Sequence, residues 1–167
     1  MKLYIVRHGQ AELLTANDQS EASDRQRALT AEGRREAQAA GQHLKQVLSR
    51  DEIPKILVSP YRRAQETAQE IINLFGFPSD CLVTLDNITP KNSPKEALAA
   101  LQPYEASDAL IMISHQPLVS QLIGHLVWHK DEPSIAMGTA YIACLELEAL
   151  ANDAAELLWV KSPRAFS

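Results

Sequence analysis

With 167 residues, 46% of them hydrophobic and 22% charged, the chain has the size of one domain with a full core and is too short for two ordinary ones. Its 6 glycines and mixed composition exclude a collagen-like or disordered chain. A formal net charge of −5 speaks against nucleic acid as the main partner, since that interaction needs surplus Lys and Arg to face phosphates.

No apolar run approaches the roughly 20 residues of a membrane span, and the N-terminus lacks the basic start and apolar core of an export signal. The expectation is a cytoplasmic protein with no membrane partner. Cys81 and Cys144 stand far apart and fit no metal or redox spacing, so they are read as reduced thiols without a role.

The first stretch, Lys2-Leu3-Tyr4-Ile5-Val6-Arg7-His8-Gly9, is an apolar, β-prone run that stops at two basic side chains and a glycine. Arg7 and His8 therefore fall where a buried strand becomes a loop, the place where open α/β sheets bind ligands. From Gln10 to Ala28 the chain is polar and aperiodic, and is read as a long loop over the site. Thr30 then offers an N-cap for an amphipathic helix carrying Ala37, Ala40, Leu44, Val47 and Leu48, ending by Ser49.

Pro54 precedes a short strand, Lys55-Ile56-Leu57-Val58. Ser59-Pro60 has the look of an N-cap with proline at the first helical position, opening a helix with Ala64, Ala68, Ile71, Ile72 and Phe75 on its apolar face and Gly76 and Pro78 at its stop. Arg62 and Arg63 fall in its first turn, where the helix dipole disfavours cations unless an anion shares the site. Leu82 to Leu85 reads as a third strand, and Ser93-Pro94-Lys95-Glu96 has capping-box spacing for a short helix through Leu101. The most apolar run, Ala109 to Ile113, reads as a central strand that delivers Ser114-His115 to its end, followed by Gln116-Pro117 and a helix with Leu118, Leu122, Ile123 and Leu126. Tyr141 to Leu147 and Glu156 to Lys161 read as two further strands joined by a polar turn that includes Asn152-Asp153.

This alternation of strands and helices is an α/β pattern. If the strands ending at Arg7-His8, before Arg63 and at Ser114-His115 are neighbours in a parallel sheet, their side chains converge. Two guanidiniums and two imidazoles around one crevice make sense as a receptor for a compact multiply charged anion, with phosphate the natural candidate. A zinc site is the competing use of the histidines, but the arginines beside them oppose a dication, so no metal or cofactor is expected. His43, His125 and His129 lie within or after helices without such company and are read as surface or boundary residues.

Arg7-His8-Gly9, Leu29-Thr30-Ala31-Glu32-Gly33, the run Ser59 to Ala68 and Ser114-His115 together resemble the histidine phosphatase superfamily, the group sharing the phosphoglycerate mutase fold. The short length, the segment Asp24 to Thr30 and Ser114 to Val119 most resemble its SixA-type protein histidine phosphatases. The resemblance spans most of the chain. It implies a three-layer sandwich with a mostly parallel central sheet flanked by helices, as one histidine phosphatase domain over residues 1–167. It implies a metal-independent phosphatase that acts on phosphohistidine of a signalling or phosphotransfer protein. His8 would be the nucleophile, forming a covalent phosphohistidine, and Arg7, Arg63 and His115 would hold the phosphoryl oxygens. Arg63 is chosen over Arg62 because it directly precedes Ala64.

Larger members carry a mid-chain carboxylate that protonates the leaving oxygen, and Asn87 stands at that place here; an amide cannot supply the proton. Asp86 is next door, and the loop offers Glu12, Asp18 and Glu21 as other acids. An imidazole leaves a phosphorus centre with far less help than an alkoxide, so a missing acid favours a nitrogen–phosphorus substrate. A small-molecule phosphomonoesterase or mutase using one of those carboxylates, and a non-catalytic phosphate-binding module, stay open as alternatives.

Overall fold

The computed structural model describes residues 1–151 and 154–166; the expected turn residues Asn152 and Asp153 lie outside them. Its centre is one six-stranded sheet. In chain order the elements are β1 (Lys2–Arg7), α1 (Glu21–Arg25), α2 (Ala31–Val47), β2 (Lys55–Val58), α3 (Arg62–Phe75), β3 (Leu82–Thr84), α4 (Pro94–Leu101), β4 (Ala109–Ser114), α5 (Leu118–Trp128), β5 (Ile142–Leu147) and β6 (Ala155–Lys161). Across the sheet the strands run β3-β2-β4-β1-β5-β6. The pairs β2/β3, β2/β4 and β1/β4 are parallel, whereas β5 pairs antiparallel with β1 and β6.

The continuous apolar runs at β1, β2 and β4 follow from burial on both faces. Successive side chains of a strand alternate, and here each set meets its own layer. Leu3, Ile5, Leu57, Leu110 and Met112 pack with Leu98, Leu101, Leu118, Leu122 and Leu126 of α4 and α5. Tyr4, Val6, Ile56, Val58, Ile111 and Ile113 pack on the other face with Ala40 and Leu44 of α2 and Ala64, Ala68 and Ile71 of α3. The expected sandwich of helix, mostly parallel sheet and helix is the architecture observed. Among the described residues no helix is long and apolar enough to cross a membrane.

Four expectations need correction. The segment from Gln10 to Ala28 contains α1, whose N-cap Ser20 accepts a hydrogen bond from the Ser23 amide. The third strand ends at Thr84 rather than Leu85. The N-cap of α3 is Tyr61, not Ser59, because the Ser59 hydroxyl is engaged with His115, 2.6 Å away. His43 and His125 are buried, at 7% exposure each, whereas His129 is exposed. His43 sits three residues after Ala40 on the buried face of α2 and meets Trp159 edge-on. His125 lies on the packed face of α5 and hydrogen bonds to Asp131.

Candidate active site

Three neighbouring strands, β1, β4 and β2, end almost flush: Arg7 is in register with Ser114 across β1/β4, and Val58 with Ile113 across β2/β4. Beyond these ends the chain is stitched together by backbone hydrogen bonds, from the His8 amide to Ser114 O at 3.0 Å and from the Ser59 amide to Ile113 O at 3.1 Å. The residues that follow, His8, Ser59 and His115, are thereby brought to one crevice. The His8 and His115 rings lie 5.0 Å apart.

Gly9 shows why the separate sequence motifs occur together. A Cβ there would lie 2.4 Å from the carbonyl oxygen of Gly33, and a Cβ on Gly33 would lie 2.0 Å from that of Gln10. Only glycine permits this contact between the β1 end and the first turn of α2. Thr67 ties in α3: its hydroxyl accepts from the Gly9 amide at 3.0 Å and donates to the Arg63 carbonyl at 2.7 Å.

His8 is 5% exposed, Arg63 3% and His115 1%. A guanidinium can only donate, so the contact of Arg63 Nε with His8 Nε2 at 3.2 Å makes Nε2 an acceptor. The hydrogen of the neutral ring then sits on Nδ1, which donates to the Gly9 carbonyl at 2.7 Å. Burial lowers the His8 pKa to about 3; the Gly9 carbonyl opposes this, while Arg63, Arg7 and Arg27 reinforce it. The same forces, burial first and then the charges of His8, Arg63, Arg27 and Arg7, push His115 far below the ordinary histidine value. Both imidazoles are therefore neutral at physiological pH.

Arg63 is held on a second side by Asp24 of α1, whose carbonyl accepts from Nη1 at 2.7 Å and whose carboxylate lies 3.4 Å from Nη2. Asp24 also pairs with Arg27 at 2.8 Å. The ring of Tyr61 lies under two guanidiniums, those of Arg25 and Arg63, each 5.0 Å from its centroid. Arg7 donates to Met137 O at 3.0 Å, while its Nε and the Nδ1 of His115 are buried with no hydrogen-bond partner among the described residues. Buried polar nitrogens are ordinarily satisfied, so this pair points to an acceptor supplied from outside.

All four expected residues, Arg7, His8, Arg63 and His115, thus come together, and Arg62 instead faces outward in an ion pair with Glu66. Asp24, Arg27, Ser59, Tyr61 and Thr67 were not singled out from sequence. All five nonetheless lie in the stretches that carry the resemblance, Asp24 to Thr30 and Ser59 to Ala68, and the spacing of Thr67, one turn after Arg63, is a further signal. Of the carboxylates weighed as acids, Glu21 reaches the rim of the site, accepting from the Tyr61 hydroxyl at 3.4 Å. Asp18 accepts from Ser20 and Ser23 at the start of α1, Glu21 pairs with Lys91 at 2.5 Å, and both are held below the ordinary carboxylate range by those partners. Glu12, Asp86 and Asn87 are exposed.

Residues 3–89 match the family described as Histidine phosphatase superfamily (branch 1). The chain belongs to that superfamily. It is 33% identical over 172 residues to a Haemophilus influenzae protein named Phosphohistidine phosphatase SixA homolog, covering 96% of this chain and 100% of that protein. It is also 33% identical over 165 residues to Phosphohistidine phosphatase SixA of Escherichia coli, covering 98% and 94% respectively. Among solved structures it superposes on the protein histidine phosphatase SixA complexed with tungstate with a TM-score of 0.83, at 30% identity and over 100% of both chains.

Proposed function

We propose that this protein is a protein phosphohistidine phosphatase of the cytoplasm, working as one catalytic domain over residues 1–167. The observation that carries the reading is the state of His8: a buried, neutral imidazole with its Nε2 lone pair held by Arg63 and its Nδ1 hydrogen anchored on Gly9. Nε2 attacks the phosphorus of the incoming phosphohistidine in line, the substrate's nitrogen–phosphorus bond breaks, and the phosphoryl group rests on His8 until water releases it. As Nε2 bonds to phosphorus it no longer accepts from Arg63, whose Nε–H turns to a phosphoryl oxygen. Arg7 Nε and His115 Nδ1, without partners among the described residues, complete the clamp on the charge that develops there.

The leaving group supports the choice of substrate. Asp18 and Glu21 are engaged as carboxylates with Ser20, Ser23 and Lys91, and the amide of Asn87 stands where larger members carry their acid. A departing imidazole, protonated from solvent, needs no such acid, whereas an alkoxide does. The relatives named as phosphohistidine phosphatases, and the solved structure of a protein histidine phosphatase SixA with tungstate, an anion shaped like phosphate, support this assignment.

The test is phosphate release from a phosphohistidine-carrying phosphotransfer protein, with a small phosphoramidate and a phosphate monoester alongside. Wild type is expected to turn over the first fastest and the monoester slowest, and to give a phosphate-labelled His8 that His8→Ala does not form. Full activity of His8→Ala, or a preference for the monoester, sinks the proposal.

A further inference from the structure

Ser59, the residue after β2, touches no reacting atom, yet its fully buried hydroxyl lies 2.6 Å from Nε2 of His115. A hydroxyl has one hydrogen to give and two lone pairs. The Tyr61 amide donates into one lone pair of Ser59 Oγ at 3.3 Å. Among the described residues Nε2 of His115 is the acceptor in reach of the remaining hydrogen.

His115 carries a single ring hydrogen, because burial and the surrounding charges keep it neutral. If that hydrogen sat on Nε2, Ser59 Oγ would accept twice and its own hydrogen would be stranded in a site with no exposure, at a cost of about 1–3 kcal/mol. Nδ1 would then be a bare lone pair facing phosphoryl oxygens, which themselves can only accept. With the hydrogen on Nδ1, every group is satisfied except Nδ1 itself, the nitrogen found buried without a partner.

We infer that Ser59 is a positioning residue: its hydroxyl donates into Nε2 of His115 and fixes the tautomer that bears hydrogen on Nδ1, leaving that N–H to grip the phosphoryl group. The inference rests on the phosphotransfer reading of the site, and it assigns to Ser59 the place that sequence spacing gave to a helix cap. Ser59 acts on turnover through His115, whereas its bond from the Tyr61 amide holds the start of α3 and bears on stability.

Long-range proton–nitrogen correlation spectra of the 15N-histidine-labelled enzyme, with His115 assigned by its loss in His115→Gln, read the tautomer directly. Wild type is expected to show a protonated Nδ1 and a bare Nε2, a pattern kept in Ser59→Thr and lost or inverted in Ser59→Ala. Turnover of a phosphohistidine protein is expected to fall about tenfold or more in kcat for Ser59→Ala, the scale of one hydrogen bond to a charged group, with KM little changed. In the His115→Gln background the same substitution should lower kcat little further, its loss of the Tyr61 amide's acceptor showing in the denaturant midpoint instead. A wild-type ring protonated on Nε2, an unchanged pattern in Ser59→Ala, or an equal loss in both backgrounds overturns the inference. The wild-type spectrum needs no variant to fold and no turnover, so it decides the tautomer even if phosphohistidine proves not to be the substrate.

Discussion

Arg63 and His8 face one another across the crevice, guanidinium Nε to imidazole Nε2 at 3.2 Å, both at 5% exposure or less. A cation that donates into a ring nitrogen leaves no room for a proton there. The contact therefore keeps the nucleophile unprotonated until Arg63 turns to the phosphoryl group, and it has a measurable pH signature.

With the folded-state pKa of His8 near 3 against about 6.5 for a free histidine, the acid limb of kcat/KM should lie well below pH 6.5. Stability moves in a fixed direction too. Between the two pKa values the unfolded chain binds a proton that the folded chain excludes, so stability is full above pH 6.5 and declines as pH falls toward 3. His115, shifted the same way, steepens the decline; each histidine contributes a slope of up to about 1.4 kcal/mol per pH unit. Denaturant midpoints across that range check this, and His8→Gln should flatten the curve. A stability maximum near pH 4 would contradict it.

Replacing Arg63 and replacing its partner Asp24 should differ greatly. Arg63→Ala removes a donor aimed at the transferring group and is expected to cost kcat about 10²- to 10³-fold. Asp24→Asn leaves the backbone carbonyl that holds Nη1 and removes only the charge of a partly exposed carboxylate 3.4 Å from Nη2, so a loss of less than about tenfold is expected. Steady-state kinetics of the two variants give the ranking directly.

The contact of Gly9 with Gly33 makes the first turn of α2 a part of the catalytic loop. Gly33→Ala forces a Cβ to within 2.0 Å of the Gln10 carbonyl, so strand end and helix must separate. Overpacking on this scale costs about 1–3 kcal/mol or more, visible as a lowered thermal midpoint. Activity should fall further than the folded fraction does, since the displaced backbone adjoins His8. Unaltered activity in the folded fraction would show that the contact serves stability alone.

Much of this site was legible in sequence because its chemistry stands at the ends of apolar runs. Arg7-His8 and Ser114-His115 each close a strand marked by its own apolar residues, and β1, β2 and β4 are buried on both faces. What escaped notice depends on partners distant in the chain. The five residues of α1 are too few to show a helical period, and their place is set by Asp24 with Arg63 and Glu21 with Lys91, pairings spanning 39 and 70 positions. Ser59 has the local chemistry of a cap, but a tertiary hydrogen bond to His115, 56 residues on, took the hydroxyl first. His43 could have been placed in the core from its spacing to Ala40 and Leu44, had polarity not been weighed above period.

Thr67 offers the sharpest separation of catalysis from scaffold. Its hydroxyl accepts from the Gly9 amide and donates to the Arg63 carbonyl, linking the loop of the nucleophile to the helix of the clamp. Thr67→Val keeps the shape and deletes both bonds, leaving a buried amide without its acceptor at a cost of about 1–3 kcal/mol. Because the side chain reaches no substrate, that penalty should appear mainly in the denaturant midpoint. The rate should also fall, in proportion to how far Gly9 and Arg63 drift apart, while the acid limb of kcat/KM stays in place because His8 keeps its Gly9 carbonyl and its burial. A shifted acid limb in Thr67→Val would mean that the anchoring of the Gly9 amide, and not burial alone, sets the state of the ring.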